Sequence, residues 1–132
     1  NYSELKEGLF SRVTEVPPAL LVVLFRLFAN ILCVMESRFL VDLLPDIMML
    51  CKVVSMFQDR MIYQAMTSFL LNTSIFLDSL TDKDLKDASL RIRDNVVAVG
   101  CDILNQCSDE VSLDRTITAI CNVLIASPYV GH

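Results

Sequence analysis

LFRLFANILCV, residues 24 to 34, sets one arginine and one asparagine in a run that is otherwise apolar, and the arrangement returns twice. MTSFLLNTSIFL (Met66–Leu77) and TITAICNVLIAS (Thr116–Ser127) each hold a lone asparagine in the same setting. The three are Asn30, Asn72 and Asn122, at intervals of 42 and 50 residues. Four residues before each stands a second polar side chain: Arg26, Ser68 and Thr118. Positions four apart share a helix face. Each segment therefore reads as a helix that is apolar on most sides and carries one narrow polar stripe. An asparagine inside a helix is unfavourable unless its amide finds partners, so three in matching contexts point to a repeated structural need.

Outward from these segments, nearly the whole chain reads as helix. Tyr2 to Glu15 places Leu5, Leu9, Phe10 and Val13 at helical spacing. Val16-Pro17-Pro18 interrupts it, and Pro18 is suited to open the next helix, which runs to about Met35. Glu36-Ser37 is a joint. Arg38 to Leu44 reads as a brief helix stopped by Pro45, with Asp46 to about Phe57 following. After a joint at Gln58-Asp59 comes a long helix, Arg60 to about Leu77. Asp78 to Asp84 reads as a polar loop that offers an N-cap, and Leu85 to about Cys107 as a long amphipathic helix. Within that helix Gly100 marks a close packing contact. Asp109 or Ser112 can cap a last helix reaching about Ala126, stopped by Ser127-Pro128.

Helices in succession with a recurrence of about 40 to 47 residues define an armadillo/HEAT-like array. The expected fold is all-α: a right-handed helical solenoid of about three stacked repeats, covering residues 1–35, 36–78 and 79–128. The longer second interval falls in the polar segment Asp78–Asp87. Stacking also accounts for an apolar share of 54% in 132 residues, because each repeat buries one side against the unit before it and the other against the unit after. The opening helix reads as the second helix of a unit whose start is missing, so the chain is expected to continue before Asn1. An uncovered apolar flank would then favour a homodimer.

Composition narrows the function. Sixteen acidic residues against eleven basic ones give a net charge of −5, which disfavours a nucleic-acid grip. Residues 19 to 35 form the one stretch that resembles a membrane span, but they are few and carry Arg26 and Asn30 in the middle, so a buried helix of a soluble protein is expected and no membrane partner. Cys33, Cys51, Cys101, Cys107 and Cys121 lie in apolar helical patterns without a C-x-x-C pair. They read as small buried hydrophobes, as suits the cytoplasm or nucleus. His132 is the only histidine and is terminal. Neither a metal site nor a catalytic set can be assembled around it, and no cofactor motif occurs, so no enzyme activity is expected.

The order of the helices resembles the C-terminal half of a PUL domain, the armadillo-type module that ends the phospholipase A-2-activating protein and its fungal counterparts. The resemblance covers about Leu5 to Pro128. It is carried by LFRLFAN (Leu24–Asn30), FLLNTSIFL (Phe69–Leu77) and DRTITAICNVLI (Asp114–Ile125). Arg26, Leu71-Asn72-Thr73-Ser74 and Arg115 stand where that family has an arginine, an L-N-x-S step and an arginine opening the third helix. The resemblance implies a protein-interaction module of the ubiquitin pathway, whose groove takes the acidic C-terminal tail of a hexameric AAA ATPase, the valosin-containing protein. The family's groove is basic, whereas this chain is acidic overall, so its positive residues must gather in the groove.

The expected peptide-binding residues are Arg26, Asn30, Gln64, Asn72, Arg115 and Asn122. An asparagine amide both donates and accepts, so the three asparagines form a ladder for a peptide backbone. The two arginines fork onto carboxylates, and Gln64 lies eight residues before Asn72 on the same face. Arg91 and Arg93, in LRIRDN, are expected in solvent. Two other roles fit a small apolar helical chain: a purely structural armadillo or HEAT scaffold, and a viral Bcl-type bundle that sequesters an amphipathic helix. The bundle predicts an apolar groove, and the PUL-type module a polar stripe crossing parallel helices.

Overall fold

The computed structural model describes residues 2–125; the side chains of residues 2, 9, 10, 11 and 14 are outside the description. Six α-helices follow one another: α1 (Tyr2–Arg12), α2 (Pro18–Val34), α3 (Ser37–Val54), α4 (Arg60–Ser79), α5 (Lys86–Gln106) and α6 (Glu110–Ile125). Short 3-10 turns follow α1 and α3 and precede α5. Among the described residues there is no strand. The protein is all-α.

Local chemistry explains the boundaries. Pro18 occupies the first position of α2, where its missing N–H costs nothing. Gln58 turns left-handed at φ 54°, and Asp59 then caps α4 by accepting from the Ile62 N–H at 3.0 Å. Asp82 accepts from the Asp84 N–H in the loop before α5. Asp109 caps α6: its carboxylate takes both the Ser112 N–H at 3.0 Å and the Ser112 hydroxyl at 2.8 Å. The stop expected at Ser127-Pro128, and His132, lie outside the described residues.

Pro45 does not end a helix, contrary to the sequence reading. It sits inside α3, which is continuous from Ser37 to Val54. An interior proline removes one N–H and crowds the carbonyl four residues back, at a cost of about 3 kcal/mol. The helix carries it because Leu40, Val41 and Leu44 before it and Ile47, Met48 and Cys51 after it are buried on one face. Burying each such side chain is worth roughly 1.5–3 kcal/mol.

The helices form two rows. In one, α4 packs between α2 and α6; in the other, α3 packs along α5, and α5 also packs on α6. Side-chain pairs give the directions. Asp109 meets Gln64 near the start of both α4 and α6, and Asn122 meets Ser74 near their ends, so these two helices run parallel. Arg93 meets Val123 whereas Gly100 meets Thr116 and Ile120, so α5 and α6 run antiparallel. Phe25 and Phe28 of α2 and Phe69 of α4 form an aromatic cluster, with centroids 5.9 to 6.1 Å apart.

Gly100 is the close contact its position suggested. A Cβ placed there would lie 2.7 Å from Cδ1 and 2.8 Å from Cγ1 of Ile120. The absent side chain lets α6 come near the α5 backbone.

Three further expectations fail in the packing. Leu5 faces solvent, although Val13 from the same sequence pattern is buried; the side chains of Leu9 and Phe10 are outside the described set. Cys51 and Cys107 are buried, but Cys33, Cys101 and Cys121 are exposed because they fall on helix sides that none of the described residues covers. Burial pushes the Cys51 thiol well above its ordinary pKa and keeps it protonated. Arg93 is 4% exposed rather than solvated: it donates to the Val123 carbonyl at 3.2 Å and to Asp78 at 3.0 Å. It lies on the face of α5 that packs under the ends of α4 and α6. Among the described residues, no helix is long and apolar enough to cross a membrane.

Candidate functional site

The polar stripes of α2 and α4 meet. Arg26, Ala29 and Asn30 of α2, Met61, Gln64, Ala65, Ser68 and Asn72 of α4, and Arg115 of α6 line one open cavity of about 470 Å³. Five of the six residues expected at a binding site are in this lining. Two periodicities bring them there. Arg26 and Asn30 are one turn apart on α2, and Gln64, Ser68 and Asn72 step along α4 by four. The aromatic cluster of Phe25, Phe28 and Phe69 lies where these two helices pack, and it fixes how far apart the stripes stand.

The sixth residue, Asn122, is not in the cavity. Its amide donates to the Ser74 hydroxyl at 3.1 Å and ties α6 to α4. It lies two turns beyond Arg115, on the side of α6 facing its neighbour, and Ser74 is fully buried. The expected three-rung ladder therefore has two rungs, Asn30 and Asn72.

The two arginines differ. Arg115 donates to the Gln64 backbone carbonyl at 2.8 Å, which holds its stem across α4 and leaves its remaining N–H groups to the cavity. Arg26 is exposed and, among the described residues, has no hydrogen-bond or ion-pair partner. Asn30 and Asn72 are likewise exposed with free amides among the described residues. Among the described residues, no Asp or Glu lines the cavity, although the chain has sixteen of them.

Asp109, read from the sequence only as a helix cap, does more. Besides capping α6 it accepts from Arg60 Nε at 3.0 Å and from Gln64 Nε2 at 3.3 Å. The Ser112 hydroxyl and N–H chiefly, then Gln64 and Arg60, hold its carboxyl below the usual carboxylate pKa. It thereby locks the start of α6 to α4 and holds Gln64 at the edge of the cavity. Arg60 and Gln64 are one turn apart, so helical spacing carried a signal for Arg60. Nothing in the sequence near Asp109 announced its reach to α4, because that contact spans 45 residues or more. Met61, Ala29 and Ala65 also escaped the sequence reading, since small or apolar lining residues look like core.

Among the described residues, no group of three or more His, Cys, Asp or Glu is placed to hold a metal ion. No protein-family model, curated protein or solved structure matches the chain.

Proposed function

We propose that this protein is a protein-interaction module whose cavity between α2, α4 and α6 holds an acidic peptide. One observation carries the proposal: in a chain of net charge −5, two arginines face a single cavity that, among the described residues, has no carboxylate in its lining. A guanidinium left without a counter-charge beside open amides suits a carboxylate-bearing, extended ligand. Asn30 and Asn72 then take the peptide backbone, Arg26 and Arg115 its acidic groups, and Gln64 a further polar contact. The parallel run of α4 and α6 and the second row formed by α3 and α5 suit stacked helical pairs of armadillo/HEAT type, with α1–α2, α3–α4 and α5–α6 as the units. The continuity of α3 through Pro45 favours two helices per unit. This reading agrees with the PUL-type resemblance and with the acidic C-terminal tail of a hexameric AAA ATPase as ligand. A polar lining also sets the cavity apart from the apolar groove expected of a Bcl-type bundle.

Calorimetric titration with an acidic AAA ATPase tail peptide tests the proposal. The wild-type chain is expected to bind it, and the double variant Arg26→Ala/Arg115→Ala to bind at least tenfold more weakly, about 1.4 kcal/mol. Unchanged affinity in the double variant removes both arginines from the site. A folded wild-type chain that binds no such peptide leaves the structural scaffold as the better account.

A further inference from the structure

A second cavity of about 340 Å³ opens beside the first, lined by Gln58, Arg60, Tyr63, Gln106, Ser108 and Asp109. The two are separated by the contact between Gln64, which lines the first, and Asp109, which lines the second. Nearly all of this second lining is polar, and its hydrogen-bonding capacity is unevenly used. Asp109 is filled: its two oxygens accept from Arg60, Gln64 and both the N–H and hydroxyl of Ser112. Tyr63 is also spent, because its hydroxyl donates to the Ser55 carbonyl. What remains is mainly donors. Arg60 uses only Nε on Asp109, and its side chain is 75% exposed, so the terminal N–H groups are open. Among the described residues the side chains of Gln58, Gln106 and Ser108 have no hydrogen-bond partner. An excess of donors around a space of this size calls for a ligand that brings acceptors.

Resting on the acidic-peptide reading of the first cavity, we infer that the same ligand continues over the Gln64–Asp109 contact into this second cavity. There Arg60 and Gln106 take an acceptor side chain, a carboxylate or a carboxamide, of a residue upstream of the acidic end. The site thus reads a segment rather than a terminal group. Its length follows from α4. From Asn72 to Arg60 the helix rises about 18 Å, which an extended peptide covers in about six residues. Asp109 has a positioning role: it holds Arg60 over one cavity and Gln64 over the other.

Two acidic peptides sharing the same C-terminal end, of about four and about seven residues, separate the possibilities by calorimetry. The longer has a glutamate at its upstream end. In the wild-type chain the longer peptide is expected to bind at least tenfold more tightly. In Arg60→Met/Gln106→Ala that gain is expected to vanish while the affinity for the short peptide stays the same. Both substituted side chains lie at the surface end of the helices, and a matched thermal unfolding transition checks that the variant is folded. Equal affinity of the wild type for both peptides overturns the inference and leaves the Arg26–Arg115 site standing. A gain that persists in the variant also overturns it. Failure of both peptides to bind the folded wild type overturns the underlying reading together with the inference.

Discussion

The two ends of α4 handle charge in opposite ways. At its C-terminal end, Arg93 is buried against Asp78 and the last turns of α6, and both of its terminal nitrogens donate inside the protein. Toward the N-terminal end, Arg26 and Arg115 face a cavity with N–H groups still open and, among the described residues, no carboxylate in its lining, while Arg60 pairs with Asp109 through Nε alone and keeps its terminal N–H groups open beside the second cavity. The same residue type thus closes the molecule at one end and presents it to a ligand at the other. What separates Arg93 from Arg26 and Arg115 is a carboxylate and a helix end within reach of its buried guanidinium. Asp78, one residue short of the end of α4, supplies the first for Arg93, and the carbonyl of Val123 supplies the second.

Substitutions should divide along this line. The largest loss of stability is expected from Arg93→Ala, roughly 3 kcal/mol in chemical denaturation, because it leaves a void and a stranded carbonyl and removes the partner of Asp78. A loss below about 0.5 kcal/mol, the range of ordinary surface changes, would mean that the buried arginine is no more structural than those at the cavity. Gly100→Leu is expected to cost about 1–3 kcal/mol, the usual penalty for overpacking, by pushing α6 away from α5 through Ile120. It tests the inter-row contact independently of any charge.

Smaller effects probe the cavity end. Asn122→Ala is expected to lower stability by about 1 kcal/mol through loss of its bond to Ser74, with no change in peptide affinity. A variant that instead weakens binding while unfolding normally would return Asn122 to the site. Arg26→Ala alone should leave stability within about 0.5 kcal/mol while weakening an acidic peptide, the reverse of Arg93→Ala. The smallest effect concerns pH. The carboxyl of Asp109 is held below its ordinary value near 3.8, so it binds fewer protons in the folded chain than in the unfolded one. Its contribution is complete above the unfolded value and disappears as pH falls through the lower folded value. Asp109→Asn should therefore flatten stability against pH below about 4, and an unchanged slope in acid denaturation would show that the contacts with Ser112, Gln64 and Arg60 do not favour the charged form.

Much of the site was legible along the chain. Arg26 with Asn30, and Gln64 with Asn72, sit at helical spacing in apolar surroundings, and a helix turns such spacing directly into a shared face. Arg115 was read as sharing a stripe with Asn122, and it reaches the cavity although Asn122 does not. Asn122 looked equivalent to Asn30 and Asn72, yet its stripe on α6 is turned partly toward α4, and its amide finds Ser74 before it finds the cavity. Pro45 looked like a break because a local rule says so, whereas burial of the α3 face on both sides of it overrides that rule.

By itself the sequence determined the helical class, a cap at the start of α6, the close approach at Gly100 and the polar stripes on α2 and α4. These depend on backbone preferences and periodicity within a few residues, which any short segment carries wherever it is placed. Only the tertiary structure decided that Arg93 is buried, that Asn122 serves the frame and that Asp109 joins two helices beside two cavities. Such outcomes depend on how each helix is rotated and slid against its neighbours. That geometry is set jointly by Phe25, Phe28 and Phe69, by the gap at Gly100 and by contacts between residues far apart in the chain.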